Sequence, residues 1–486
     1  MILLSCANMR RKVFGRSLLK RISEDVRKQV LEGSLMRAIL VIAVPVVINS
    51  MIQTCYNLTD TYWLGKVGTN ALAAINLVTP VQNIVINFGS GISVAGSVLI
   101  SQYLGAEKRE EANRMANQVF SCALIFACLC AGLICLLTPA LVRWLGAEDG
   151  VLNAGISYLR LVILDMPFLF TVNVFQAVSQ SRGNTVRPML INLLGVLINM
   201  ALDPLLMVTL NLGATGAALA TVGAKAAAAC VALTALISRK GELHLTRREL
   251  RPRKEYLGKI VHIGLPTALG SSMMQVGFLL MSRTVLTYGS QAMAAYGIGN
   301  KINGLISMPS NAMGSATATI TALNVGAGKP DRAQQGCRLS IACSVLFLFI
   351  GGLIISRPAI SRGLVSIFSA DEKVIDMAAD FLALMAFWAW SNGFYNSLTG
   401  LFQGTGHTEI TMISDASRLW IYRFATLWFC ESILHLGVRS VWLSVVISNG
   451  IAALVLYILY RCGIWRRNRV KVGRTEKGKG KATDDE

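Results

Sequence analysis

Two aspartates, Asp60 and Asp203, stand inside long apolar runs where leucine or valine would be expected. Asp60 ends the stretch QTCYNLTD, in which Gln53, Tyr56 and Asn57, with Asn49 before them, recur at steps of three or four residues. That spacing gathers side chains along one stripe of a helix. Asp203 follows Asn199 by four residues and Asn192 by eleven, again on one face. Loss of hydration favours the neutral form of a carboxyl group, and neighbouring amides and a phenol can hydrogen-bond either form. A conformational change that alters burial then alters proton affinity, and by linkage proton binding biases the conformation. The pattern predicts ion coupling by Asp60, Asp203, Asn57, Asn199 and Tyr56. The competing reading makes each aspartate a helix cap, Asp60 because Lys66 is close and Asp203 because Pro204 follows. Three further residues stand out: Asp165 in LVILDMPF, and Asn173 and Gln176 after it. Lys225, in ATVGAKAAAAC, is a lone cation in an apolar run and needs a partner; the expected partner is Asp203 or Asp60.

These residues need elements to position them. The chain has 486 residues, 53% hydrophobic and 15% charged, too few charges to cover a water-soluble protein of this length. Its apolar blocks run to roughly 20–30 residues, long enough to cross about 30 Å of hydrocarbon. The opening MILLSCA lacks a preceding basic segment and is too short for a secretory signal. The net charge of +20 concentrates in residues 11–21, 238–259 and 461–481, with apolar segments between. That distribution fits the positive-inside rule and not a nucleic-acid-binding face. It predicts a multi-pass protein of the plasma membrane with both termini cytoplasmic. Six crossings fall before the middle cluster: 37–64, 71–102, 115–138, 156–180, 187–210 and 214–238. Six follow it: 258–286, 292–322, 337–356, 377–402, 410–432 and 438–461. The expected organisation is a basic N-terminus (1–36), an N-lobe (37–238), a basic linker (239–257), a C-lobe (258–461) and a basic tail (462–486). At 1.5 Å per residue, Asp60 lies about 35 Å and Asp203 about 24 Å along their helices, both in the outer half of the first lobe.

The two sets of six repeat. IAVPVVINS (42–50) aligns with IGLPTALGS (263–271), GTNALAAI (68–75) with GSQAMAAY (289–296), and GAEKREEA (105–112) with GAGKPDRA (326–333), all at one shift of 221. QSRGNT (180–185) aligns with QGTGHT (403–408) after two extra residues. Six is even, so both halves cross in the same orientation, related by an axis along the membrane normal. Parallel repeats of this kind build transporters with the substrate site between the halves.

With the Pro45 helix and YNLTD, the GTNALAA loop, the GAEKREEA and GAGKPDRA pair, the RGNT turn and INMALDP (198–204), the chain resembles the MATE (multidrug and toxic compound extrusion) transporters along nearly its whole length. The resemblance implies an all-α membrane protein of twelve transmembrane helices, in two parallel-repeat six-helix lobes around a V-shaped central cavity. It implies export of small organic, often cationic, compounds against inward H⁺ or Na⁺ flow. The family's N-lobe coupling acids match Asp60 and Asp203, and its polar pocket positions match Asn173 and Gln176; Gln53, Lys225 and Asp165 complete the expected cavity set. Pro45 leaves a carbonyl unpaired, so its helix can bend between states. Lys225 and Asp165 depart from the family pattern. Met281 occupies the repeat position of Asp60, so no second-lobe sodium site is expected. Phe387, Trp388, Trp390, Phe394 and Tyr395 could stack on a flat cation or simply pack.

An enzyme is not expected: there is no HExxH or GxSxG, and His244, His262, His407 and His435 are scattered. VGAGKPD lacks the first glycine of a P-loop, with leucine at 323, so ATP is not expected as the energy source. The cysteines lie mostly in apolar runs and read as small buried hydrophobes, with no metal site. No cofactor beyond the coupling ion is expected, and the chain reads as a monomer in the bilayer. The rival reading is a lipid-linked sugar flippase, which predicts a cavity crowded with Arg and Lys; a channel is disfavoured by the duplicated lobes with buried acids.

Overall fold

The computed structural model describes residues 26–67, 69–144, 149–238, 243–467 and 470. The basic cluster at 11–21, most of the tail and the Lys66 side chain lie outside the described residues. Every regular element among the described residues is helical. The first half comprises α1 (Leu35–Val67), α2 (Thr69–Gly105), α3 (Arg109–Trp144), α4 (Asp149–Ile163), α5 (Met166–Gln180), α6 (Val186–Asp203) and α7 (Gly213–Ile237). The second comprises α8 (Lys254–Leu286), α9 (Ser290–Gly326), α10 (Pro330–Ile355), the short α11 (Pro358–Ser366), α12 (Glu372–Phe387), α13 (Trp390–Gly404), α14 (Thr408–Ala416), α15 (Phe424–Ser432) and α16 (Val438–Arg461). With α4–α5, α12–α13 and α14–α15 each forming one crossing, the chain passes twelve times through the membrane.

Four expected spans depart from a straight α-helix. Residues 156–180 bend by 40° between α4 and α5, where Pro167 at the head of α5 supplies no N–H to continue the ladder. Residues 377–402 bend by 52° between α12 and α13, the breaks being 223 residues apart at Asp165 and Trp388. After Asp203 the chain continues as a π-helical turn, Pro204–Thr209, and Ser417–Arg423 is a second. Pro204 therefore widens the helix and does not end it, and Asp203 makes no side-chain cap. Asp60 is likewise inside α1, seven residues before its end. Helix capping accounts for neither.

The repeat extends to backbone conformation. Gly183 of RGNT and Gly406 of QGTGHT both have positive φ, 76° and 86°, and turn the chain between crossings where a Cβ would clash. Glu107 and Gly328, 221 apart, share the same left-handed conformation at 62° and 72°.

The halves meet through glycines. A Cβ on Gly105 would lie 2.1 Å from the Leu323 carbonyl oxygen, and one on Gly326 would lie 2.1 Å from that of Gln102. Positions 105 and 326 are repeat partners, as are 102 and 323, so the contact is self-complementary about a pseudo-two-fold axis. Gly91 of α2 also approaches Gly264 of α8, where a Cβ on Gly91 would fall 2.4 Å from the Gly264 oxygen. Gln102 Nε2 donates to the Gly404 carbonyl across the seam at 2.8 Å. This end, which carries the basic turns after α2 and α9, is sealed further by residues 26–33. Asn324, Lys329 and Arg332 donate to the carbonyls of Val30, Leu31, Gln29 and Gly33. At the opposite end of α9, Ala294, Gly297, Lys301 and Gly304 form an exposed face, and Gln53 and Asn57 of α1 are exposed as well.

Because the seal needs positions without Cβ atoms, Gly105→Val with Gly326→Val should part the halves at this end. Spin labels on the turns after α2 and α9 should then report a longer distance distribution than in the parent; superimposable distributions would refute the glycine seam.

Candidate functional site

Five elements of the first half converge on the acids. α1 brings Tyr56 and Asp60, α4 brings Tyr158, the α4–α5 break brings Asp165, α6 brings Asn199 and Asp203, and α7 brings Thr221 and Lys225. Lys225 Nζ forms an ion pair with Asp165 Oδ2. Asp165 is fully buried, and the lysine side chain is about one quarter exposed, at 26%. The expected pairing of Lys225 with Asp203 or Asp60 is therefore corrected. The α4–α5 break turns Asp165 toward α7, and its carboxylate takes the ammonium first. Lys225 remains within electrostatic reach of Asp60, and Asp60 within reach of Asp203. Asp165, at 0% exposure, is the buried counter-ion of Lys225.

Asp203 is also fully buried, and Asn199, one turn before it, is 1% exposed. No well-formed hydrogen bond reaches either Asp203 oxygen, Asn199 Oδ1 or Nδ2, or Asp60 Oδ1. Buried polar atoms without partners are uncommon, and here they belong to residues that the sequence already singled out. Tyr56 Oη lies 3.4 Å from Thr221 Oγ1. Tyr158, 8% exposed, is within electrostatic reach of Asp60, Asp165 and Asp203. Sequence reasoning missed Tyr158 and Thr221. Tyr158 sits in ISYLRLVILD, seven residues before Asp165, and that two-turn spacing was the available signal.

The α1 stripe divides in two. Tyr56 and Asp60 turn into the cluster, whereas Gln53 and Asn57 are exposed, with Gln53 Nε2 donating to Asn57 Oδ1 at 3.5 Å. Steps of three and four alternate around a helix, so a stripe this wide spans both an inner and an outer flank. Asn57 therefore stands apart from Asn199 and Asp203. Nearer the sealed end, Asn192 Nδ2 donates to Asn49 Oδ1 at 3.0 Å, tying α6 to α1. Asn173 and Gln176 lie on α5, partly buried. Pro45 is buried within α1, which runs through it as one helix.

The second half replaces acids with apolar and basic groups. Met281 is fully buried in a cluster with Tyr296, Phe381 and Trp442, whose rings stack at 4.3–6.1 Å. Arg423 is 3% exposed. It donates to Ser448 Oγ at 3.2 Å and Asn449 Oδ1 at 3.3 Å. Arg418 pairs with Asp415 at 3.5 Å, and its guanidinium stacks over Tyr395, whose hydroxyl donates to Asp415 at 2.6 Å. Tyr395 is thus committed to packing, while Phe387 and Trp388 are exposed. Lys301, unremarked in the sequence reading, is a further exposed cation within a crossing.

Removing one member of a buried pair strands the other charge, at a cost of about 3–5 kcal/mol. Lys225→Met should therefore lower the melting temperature of the purified protein, and Lys225→Met with Asp165→Leu should recover most of the loss. Equal melting of Lys225→Met and the parent would show that the pair contributes nothing.

Comparison with known proteins places this geometry. A model of the MatE family matches residues 45–205 and again residues 266–429, more than half of the chain, with the two matches starting one repeat shift apart. The chain is 24% identical over 447 residues to the probable multidrug resistance protein YoeA of Bacillus subtilis (strain 168), covering 90% of this chain and 96% of the relative. It is 25% identical over 444 residues to the multidrug export protein MepA of Staphylococcus haemolyticus (strain JCSC1435), covering 91% and 96%. Among solved structures, a crystal structure of MATE in complex with MaL6 superimposes with a TM-score of 0.85 at 25% identity, covering 90% of this chain and 98% of that one. A duplicated twelve-crossing helical bundle that matches the family model in both halves is not an enzyme: the chain is a multi-pass membrane transporter of the MatE family.

Proposed function

We propose that the chain is a secondary active multidrug exporter that expels small organic, mostly cationic, compounds in exchange for H⁺ by alternating access, coupled through Asp60 and Asp203. The observation that carries the coupling reading is the set of buried carboxyl oxygens of Asp60 and Asp203 without hydrogen-bond partners. A buried carboxyl without donors is held at least cost with its proton on. Opening the lobe to water removes that preference, so proton release and conformational change are linked. Lys225 does not neutralise these acids, because Asp165 holds it. Its ammonium, within electrostatic reach of Asp60, opposes entry of a metal cation, which favours H⁺ over Na⁺ as the coupling ion. Tyr56, Tyr158 and Asn199 position and solvate the acids.

In this reading the exposed polar flank of α1 (Gln53 and Asn57) and the open face of α9 line the central cavity, with Asn173 and Gln176 contributing from α5. The N-lobe spans 37–238 and the C-lobe 258–461. The basic end faces the cytoplasm across the plasma membrane, so the sealed glycine seam makes this an outward-facing state. The flippase reading requires a cavity crowded with free cations; Lys225, Arg418 and Arg423 are all engaged with neighbours, while Lys301 and Arg283 are exposed. The names of the relatives support export of multiple drugs.

In proteoliposomes, export of a fluorescent organic cation should follow an imposed pH gradient, and an imposed Na⁺ gradient should add little. Asp60→Asn and Asp203→Asn should each reduce gradient-driven export at least tenfold while leaving the melting temperature within a few degrees. Full transport in Asp203→Asn would remove that residue from the coupling set. Export driven equally by Na⁺ in the parent would overturn the choice of ion.

A further inference from the structure

The helices α3 and α10 begin at Arg109 and Pro330, one repeat shift of 221 apart. In the first half the groove beside α3 is filled by the chain that follows α7. Asn113, Asn117, Gln118 and Ser121 hold the backbone of residues 244–253 through bonds of 2.6–3.1 Å. Leu243, Leu245 and Leu250 join the core there. The same register places Gln334, Arg338, Leu339 and Ala342 at the four corresponding positions of α10. Beside Gln334 and Arg338 lies a cavity of about 690 Å³, bounded by α10, α13, the end of α16 and the turn Ile464–Arg466. That volume is in the range of small-molecule sites.

Its chemistry differs from that of the filled groove. Arg338, Arg461 and Arg466 all border it. Arg338 Nε donates to the Tyr460 hydroxyl at 3.2 Å and Arg461 Nη1 to the Tyr457 hydroxyl at 3.4 Å. Among the described residues no carboxylate forms an ion pair with either arginine. Arg466 donates to Gln334 Oε1 at 3.1 Å and reaches Asp331 at 3.7 Å. Three guanidinium groups against one acid call for an anion, and the planar fork of each matches phosphate oxygens. The remaining wall is apolar, with Ile341 beside Phe394, whose ring meets Tyr457 edge-on at 5.6 Å. Arg461 closes the last crossing, so the cavity sits at the boundary of the bilayer, at the basic end.

We propose that this cavity binds the phosphate-bearing head of an anionic phospholipid from the leaflet at the basic end, with the start of its acyl region against Ile341 and Phe394. The linker fills the groove beside α3, and the lipid fills this cavity, bracing α10 against the end of α16. The site is separate from the acids of the first half and does not depend on the coupling reading.

The test is native mass spectrometry of the full-length protein purified in detergent, titrated with dioleoylphosphatidylglycerol and separately with dioleoylphosphatidylcholine. Phosphatidylglycerol should be retained preferentially. Arg338→Gln with Arg461→Gln should weaken its binding on the order of tenfold and leave phosphatidylcholine adducts unchanged. Ile341→Trp, which keeps the charges and fills the apolar wall, should weaken it too. Equal retention of the two lipids by the parent, or undiminished phosphatidylglycerol binding in both variants, overturns the proposal. Displacement of the lipid by an equal concentration of inorganic phosphate also overturns it and assigns the cavity to a free anion.

Discussion

Hydrocarbon offers no water to a polar atom, and that constraint governs where every charge in this protein goes. A lysine in the middle of α7 is tolerable because a fully buried aspartate meets it. Arg423 is tolerable because Ser448 and Asn449 accept from it and a phenylalanine ring lies 5.8 Å away. Against that economy, neither Asp203 oxygen has a hydrogen-bond partner, nor does Asp60 Oδ1. An unsatisfied carboxyl in such a place is costly unless its protonation can change, and this is the property a coupled transporter needs. The ion pair and the acids share one cluster: Asp165 holds the ammonium of Lys225.

Duplication supplies the mechanical frame. Repeat-related glycines meet across the pseudo-two-fold seam, and close backbone approach there leaves no room for side chains. The leading segment of each half crosses to the other: residues 26–33 dock on the turn before α10 and on its first residues, and residues 243–253 dock on α3. Each lobe is therefore held at its basic end by the chain that introduces the opposite lobe. The asymmetry is chemical, not architectural. Met281 stands at the repeat position of Asp60 and packs in a cluster with Tyr296, Phe381 and Trp442.

Much of this was legible in the sequence. Block length and the scarcity of charge dictate membrane crossings, since twenty apolar residues in a row have no other stable solution. The single shift of 221 dictates two parallel halves. The identity of the unusual residues, Asp60, Asp165, Asn199, Asp203 and Lys225, was also plain, because a polar group in an apolar run is conspicuous in one dimension.

Which of these residues meet was decided only by tertiary structure. A helical stripe at steps of three and four is wide enough to face two ways, and packing alone turned Tyr56 and Asp60 inward and left Gln53 and Asn57 out. The partner of Lys225 depended on a bend between α4 and α5 that aims Asp165 at α7, and Tyr158 and Thr221 entered the cluster from helices whose rotation the sequence does not specify. Chain order and periodicity determine which elements form and which residues are costly to bury. Only the mutual orientation of packed helices, a property of many weak contacts at once, determines how that cost is met.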